Sequence, residues 1–303
     1  MPVPSPPAAP GWLRAIDSPA MGRISRTMQL ARASWEVLKA DKELITLPVI
    51  SLVATLAVAA SFLIPMAWVG RSETEQNPAW VILPLAFLAY AVLAYITIFF
   101  NAALVHAANE RLEGGDPTVG SALRGAASRA GRLLPWALLS ATVSALLRAI
   151  EERAGVLGRI VSGIAGMAWS LVTFLVIPIL VMEDLRVGDA LRRSTALFKQ
   201  TWGENVAARV GFGLLGFLLV LPGIAAIAGA FALGSTSDTV TGAMDVAVNP
   251  PLLTVGVVWI LAVAMVLSAL SGIFQTALYR YAAGLPSQGA FASDDLRAAF
   301  GAK

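Results

Sequence analysis

Long apolar runs separated by short charged segments make up most of this chain. No Lys, Arg, Asp or Glu occurs in Leu44–Gly70, Gln76–Asn109, Ile160–Met182, Val210–Ser237 or Val246–Tyr279. Each run exceeds the roughly 18 uncharged apolar residues that identify a membrane-spanning helix. A weaker run covers Leu133 to Leu147 and reaches Ile150 if Arg148 snorkels to the interface from the last turn. The pattern predicts an all-α fold, an integral membrane bundle of six transmembrane helices at about 44–69, 79–105, 133–150, 160–182, 210–234 and 252–278.

Between the runs the period changes. Ile24, Met28, Ala31, Trp35 and Leu38 recur at helical spacing with Arg23, Arg26, Arg32 and Lys39 in the gaps. Val187, Leu191, Phe198 and Trp202 form a second stripe beside Arg186, Arg192, Arg193 and Lys199. A third segment, Thr118–Arg132, carries Arg124, Arg129 and Arg132 and follows Gly115-Asp116-Pro117, which reads as a chain reversal, N-cap and first helical residue. The expectation is an amphipathic helix before each of three transmembrane hairpins. Short echoes support a repeat: Arg32-Ala33-Ser34 beside Arg192-Arg193-Ser194, and Ala122-Leu123-Arg124 beside Ala190-Leu191-Arg192.

Charge placement sets the orientation. With six spans, 18 of the 22 Lys and Arg fall on one side and 4 on the other, which puts both termini in the cytoplasm. Treating 133–150 as a surface helix would flip everything after it and leave 13 against 9, a poorer separation. The three amphipathic segments are then cytoplasmic, suited to lie at an anionic membrane surface or to pack on the bundle. Residues 1–20, with Pro at 2, 4, 6, 7, 10 and 19, read as a disordered tail; 21–285 form the membrane domain and 286–303 a cytoplasmic tail.

Composition changes the picture only by exclusion. Of 303 residues 57% are hydrophobic and 14% charged, outside the range of soluble domains. The absence of Cys excludes disulfides and thiolate chemistry, and the single His106 excludes a multi-histidine metal cluster within one chain. A net charge of +3, spread over short segments, does not point to nucleic acid. Arg outnumbering Lys 18 to 4 reads as a GC-rich bacterial genome, hence a multi-pass protein of a bacterial inner membrane.

Candidate chemistry is sparse. Ionisable groups inside a bilayer usually mark ion paths or catalysis, and five of the six expected spans have none in their interiors. Asn101 and Gln275, with several Ser and Thr, are the polar side chains there, and the two amides are expected to hydrogen-bond neighbouring helices. His106 and Glu110, four apart near the end of the second span, are positioned to pair. Glu183-Asp184 reads as an ion-paired junction with the Arg residues that follow. Gly211, Gly213 and Gly216 spell GxGxxG, but no strand precedes them, so they read with Gly163, Gly166, Ala226 and Ala230 as helix-packing surfaces. Pro48, Pro65, Pro84, Pro178 and Pro222 are expected to bend their helices. No catalytic constellation, cofactor site or metal site is expected.

Met21-Gly22-Arg23-Ile24-Ser25-Arg26, the stretch Ser34 to Leu44, and Glu110-Arg111-Leu112-Glu113-Gly114-Gly115-Asp116-Pro117-Thr118 resemble an uncharacterised bacterial membrane family, domain of unknown function 6159. The resemblance implies a six-helix membrane protein and brings no catalytic residue with it. Glu183 followed by Ala190-Leu191-Arg192-Arg193-Ser194 and Lys199 is more distantly similar to the membrane domain of some bacterial glycerophosphodiester phosphodiesterases, whose catalytic part is a separate soluble domain. The reading is a non-enzymatic scaffold, lipid-associating module or partner subunit. Its candidate contacts are Arg124, Arg129, Arg192, Arg193 and Lys199, facing anionic phospholipid, a membrane-protein partner or a second copy. The alternative is a transporter or permease for an apolar or zwitterionic solute, which kinked helices and internal repeats would suit.

Overall fold

The computed structural model describes residues 34–39, 41, 43–71, 79–153, 155–200, 202–233 and 248–286. The Pro-rich tail, the stripe positions Ile24, Met28 and Ala31, the side chain of Trp202, the 235–247 loop and residues 287–303 lie outside them. Among the described residues the chain is all-helical. After a helical segment at 34–39 come α1 (Glu43–Arg71), α2 (Ala79–Leu112), α3 (Val119–Ser128), α4 (Ala130–Arg153), α5 (Gly155–Val172), α6 (Val176–Met182), α7 (Val187–Gln200), α8 (Trp202–Ala232) and α9 (Pro250–Ala282).

Among the described residues five stretches are long and apolar enough to cross a membrane: Glu43–Pro65, Ile82–Leu112, Ala130–Arg153, Gly155–Met182 and Pro250–Ala282; Gly216–Ala232, within α8, is a shorter apolar helix. The weak third run is therefore a full-length apolar helix. Consecutive helices pack as hairpins, α1 on α2, α4 on α5 and α8 on α9, and α2 also touches α3, α4, α6 and α9.

The span expected at 160–182 is two helices. Pro178 has no N–H for the carbonyl of Phe174 and its ring crowds that carbonyl, so the helix stops at Val172 and restarts at Val176. Thr173, at the break, donates from Oγ1 to the Trp169 carbonyl at 2.7 Å, a back-bond of the kind that bends a helix.

The start of α3 also differs from expectation. Thr118, not Asp116, is the N-cap: its hydroxyl accepts from the Ser121 N–H while the Ser121 hydroxyl accepts from the Thr118 N–H, a reciprocal box that Asp116 cannot form at that register. The chain reversal before it belongs to the end of α2, where Gly114 (φ 88°) lets its own N–H reach the Arg111 carbonyl and that of Gly115 reach Glu110. Gly284 (φ 70°) closes α9 in the same way.

Packing is uneven along the bundle. The core gathers where α1 begins and α2 and α9 end: Leu44, Leu47, Ala103, Val105, Leu112, Leu133, Leu175, Ile179, Ile273 and Leu278 are all at most 2% exposed. At the other end Val53, Leu63, Leu83, Leu157, Ile164, Leu233 and Val255 are each more than 60% exposed. Exposed apolar surface of this extent is unsustainable in water and is what hydrocarbon solvates without cost.

Candidate functional site

The described charged side chains concentrate at the packed end, where the ends of several helices converge. Arg280, on the last turn of α9, is 3% exposed. Its guanidinium donates to Asn109 Oδ1 at 2.5 Å, to Glu113 Oε1 at 2.8 Å and to the Pro286 carbonyl. One planar fork thus ties the ends of α2 and α9 to the chain that follows α9, a geometry that suits Arg and not Lys.

Glu183, at the end of α6, accepts from Tyr279 Oη at 2.7 Å and from Arg193 Nε at 3.3 Å. Asp184 beside it pairs with Arg129 at 2.8 Å and with Arg132. Arg111 Nε stands 3.2 Å from Asp41, and Asp116 lies 3.7 Å from the same guanidinium. Burial pushes the Asp41 carboxyl above its ordinary range, and Arg111 opposes that shift. Glu43 accepts from the Val119 N–H at 2.8 Å, placing a carboxylate on the free N-terminus of α3.

The sequence-predicted residues divide by environment. Arg129 and Arg193 are committed to Asp184 and Glu183 and hold helix junctions together. Arg124 is exposed and turns only to the Gly120 carbonyl of its own helix, at 3.1 Å. Arg192 is 87% exposed with Asp189 at 3.8 Å, and Lys199, two turns on, is exposed. The helices that carry them spend apolar surface on the protein: α7 buries Ala190, Ser194, Leu197 and Phe198, and α3 buries Ala122 and Ala126. The buried stripe of α7 is thus offset from the Val187–Leu191–Phe198 stripe expected from spacing; Val187 and Leu191 are partly buried.

His106 and Glu110 do not meet. The imidazole lies against Gly125 of α3, so close that a Cβ there would come within 2.3 Å of its Cδ2. Glu110 instead accepts from Ser121 Oγ at 2.9 Å. Spacing on one helix placed both residues toward α3, and each found its own partner there.

Arg280 and Asn109 carry the most connected contact of this end, and sequence reading did not single them out. A cation on the final turn of a span is ordinarily a snorkelling residue; the signal that could have marked it is the pair Asn109 and Glu113, one helical turn apart at the end of the neighbouring run.

Among the described residues no group of three or more His, Cys, Asp or Glu is placed to hold a metal ion. The arrangement joins segments electrostatically and leaves a few cations facing outward.

The profile of a family of unknown function, DUF6159, matches residues 80–289, from the start of α2 to just beyond α9. The Glu110–Thr118 motif lies inside this match and Met21–Leu44 outside it. No curated protein and no solved structure matches the chain, so the likeness to the phosphodiesterase membrane domain gains no support.

Proposed function

We propose, from the premise that the chain belongs to the family of unknown function DUF6159, that it is a six-span protein of a bacterial inner membrane, acting without catalysis as a scaffold or lipid-associating subunit. The sixth span is α8, whose apolar part Gly216–Ala232 packs along α9. Counting it restores the 18-to-4 separation of cations and sets the charged end in the cytoplasm.

One observation carries the functional reading: Arg124, Arg192 and Lys199 are exposed on short helices whose opposite faces are packed on the bundle. Arg129, Arg132, Arg193 and Arg280 neutralise carboxylates of the chain itself. The exposed cations stand on helices mounted on the bundle, and their ligand is an anionic phospholipid headgroup, an acidic partner or an acidic patch of a second copy.

The test is mass spectrometry of the protein extracted with its native lipid, compared with a variant carrying Arg124→Gln, Arg192→Gln and Lys199→Gln. At about 1 kcal/mol per cation near an anionic surface, the variant should hold its anionic ligand roughly a hundredfold more weakly. Its melting should be unchanged, since none of the internal pairs is touched apart from the exposed Asp189 contact. Equal retention of the same lipid or partner by both proteins would refute the assignment. The transporter reading draws on a different feature, the cavity between α1, α2 and α9.

A further inference from the structure

Between the packed end and the exposed end of the bundle, α1, α2 and α9 line a cavity of about 210 Å³. Its polar lining is Ser51 and Thr55 from α1, Thr97 and Asn101 from α2, and Ser268 from α9. At 1.5 Å per helical residue these positions lie roughly 12 to 22 Å from the packed end, within the depth of the hydrocarbon layer. Pro48, which also lines the cavity, stands at its end nearest the start of α1, where a proline bends a helix away from its neighbours.

Asn101 breaks the expectation that an intramembrane amide bonds a neighbouring helix. Its Oδ1 is buried and has no hydrogen-bond partner. An amide carbonyl held out of water without a donor costs free energy comparable to a lost hydrogen bond. The terminal amide torsion of Asn is broad, so the group can turn either its acceptor or its donors to a ligand. The cavity lining contains no charged residue, so a phosphate, carboxylate or ammonium would enter without a counter-ion, at high cost in this medium. A hydroxyl meets the site's requirements once the amide turns toward it: it can donate to the amide oxygen and accept from the Ser51, Thr55 or Ser268 hydroxyl.

Size and access narrow the ligand further. The volume equals that of about seven water molecules, enough for a glycerol-sized head and too small for an acyl chain. Thr97, Ala264 and Ser268 are exposed at membrane depth, so the cavity opens sideways where a chain could run out into lipid. We propose that this cavity binds the hydroxyl-bearing head of a neutral glycerolipid of the mono- or diacylglycerol class, with Asn101 as its anchoring amide. The site is independent of the exposed cations on α3 and α7, and either assignment can fail alone.

The experiment uses the full chain in lipid nanodiscs and a monoacylglycerol probe with a diazirine beside its glycerol ester, cross-linked by light and mapped by peptide mass spectrometry. Saturable labelling is expected on peptides containing 48–55, 97–104 and 261–268, displaced by excess monoolein and not by a fatty acid. Asn101→Leu, close in volume, should weaken labelling about tenfold, and Ala264→Phe should block it by filling the mouth. Thr97→Val gives a second volume-matched variant, expected to weaken labelling less because its hydroxyl already donates to the Leu93 carbonyl. Labelling spread evenly over the exposed helix faces, unaffected by Asn101→Leu, or displaced equally by a fatty acid would overturn the proposal.

Discussion

Replacing Gly256 with leucine is expected to pry α8 from α9 and to lower stability more than substitution of any other glycine in the apolar helices. A Cβ at Gly256 would lie 2.8 Å from the Gly223 carbonyl oxygen and 3.0 Å from the Ile227 backbone nitrogen. Those atoms are backbone and cannot swing aside, so the whole helix must move. Within a bilayer no hydrophobic gain pulls helices together, since lipid tails are as apolar as leucine; close contact is most of what holds them. A gap of 0.5–1 Å already forfeits a quarter to a half of the dispersion attraction at each contact. The Trp259 indole bond to the Leu219 carbonyl, 2.8 Å across the same interface, would be stretched with it. The expected loss is about 3 kcal/mol, the upper end of overpacking costs, read as a fall of roughly 6–12 °C in melting temperature. Gly213→Ala is the control, since a Cβ there meets nothing within 4 Å. Equal melting of the Gly256 variant and the wild type would show that the two helices do not touch at this point.

Arg280→Met is the second large effect. The guanidinium holds Asn109, Glu113 and the Pro286 carbonyl from a buried position. Its removal deletes charge-assisted hydrogen bonds and leaves Asn109 Oδ1 without its donor. Glu113, 57% exposed on its side chain, is re-solvated and limits the damage. The balance is a loss of about 2–4 kcal/mol. Arg280→Lys should recover only part of it, because an ammonium cannot reach three acceptors arranged for a planar fork. Thermal unfolding in one detergent decides it; a lysine variant as stable as the wild type would mean that charge alone matters and the fork does not.

These two sites show where sequence reading stops. Length and apolarity marked the five spans, because a helix in hydrocarbon must be apolar on every lipid-facing side and leave no charge unpaired. The same uniform apolarity hides which face meets a neighbour. Gly213 and Gly216 sit three apart in one motif, yet only Gly216 has a packing contact, with Leu267, while Gly163 faces open space and the closest approach of one helix backbone to another falls on Gly223 and Gly256. Charged residues are harder still. Arg129, Arg192 and Arg193 look alike in sequence, and only the fold brings Glu183 and Asp184 to two of them. Asn101 was visible as a polar residue inside a span; that it lacks a partner is a property of three packed helices together.

The central claim is a six-span bundle whose ion-paired end, with its outward cations, faces the cytoplasm. The chain has no cysteine, so single cysteines report topology without background. Ser128, exposed at the end of α3, and Ser237, in the segment between α8 and α9, are each replaced by cysteine and treated in intact cells with a membrane-impermeant maleimide. The account predicts labelling at 237 in intact cells and labelling at 128 only after permeabilisation. Labelling of 128 in intact cells with protection of 237 would contradict it.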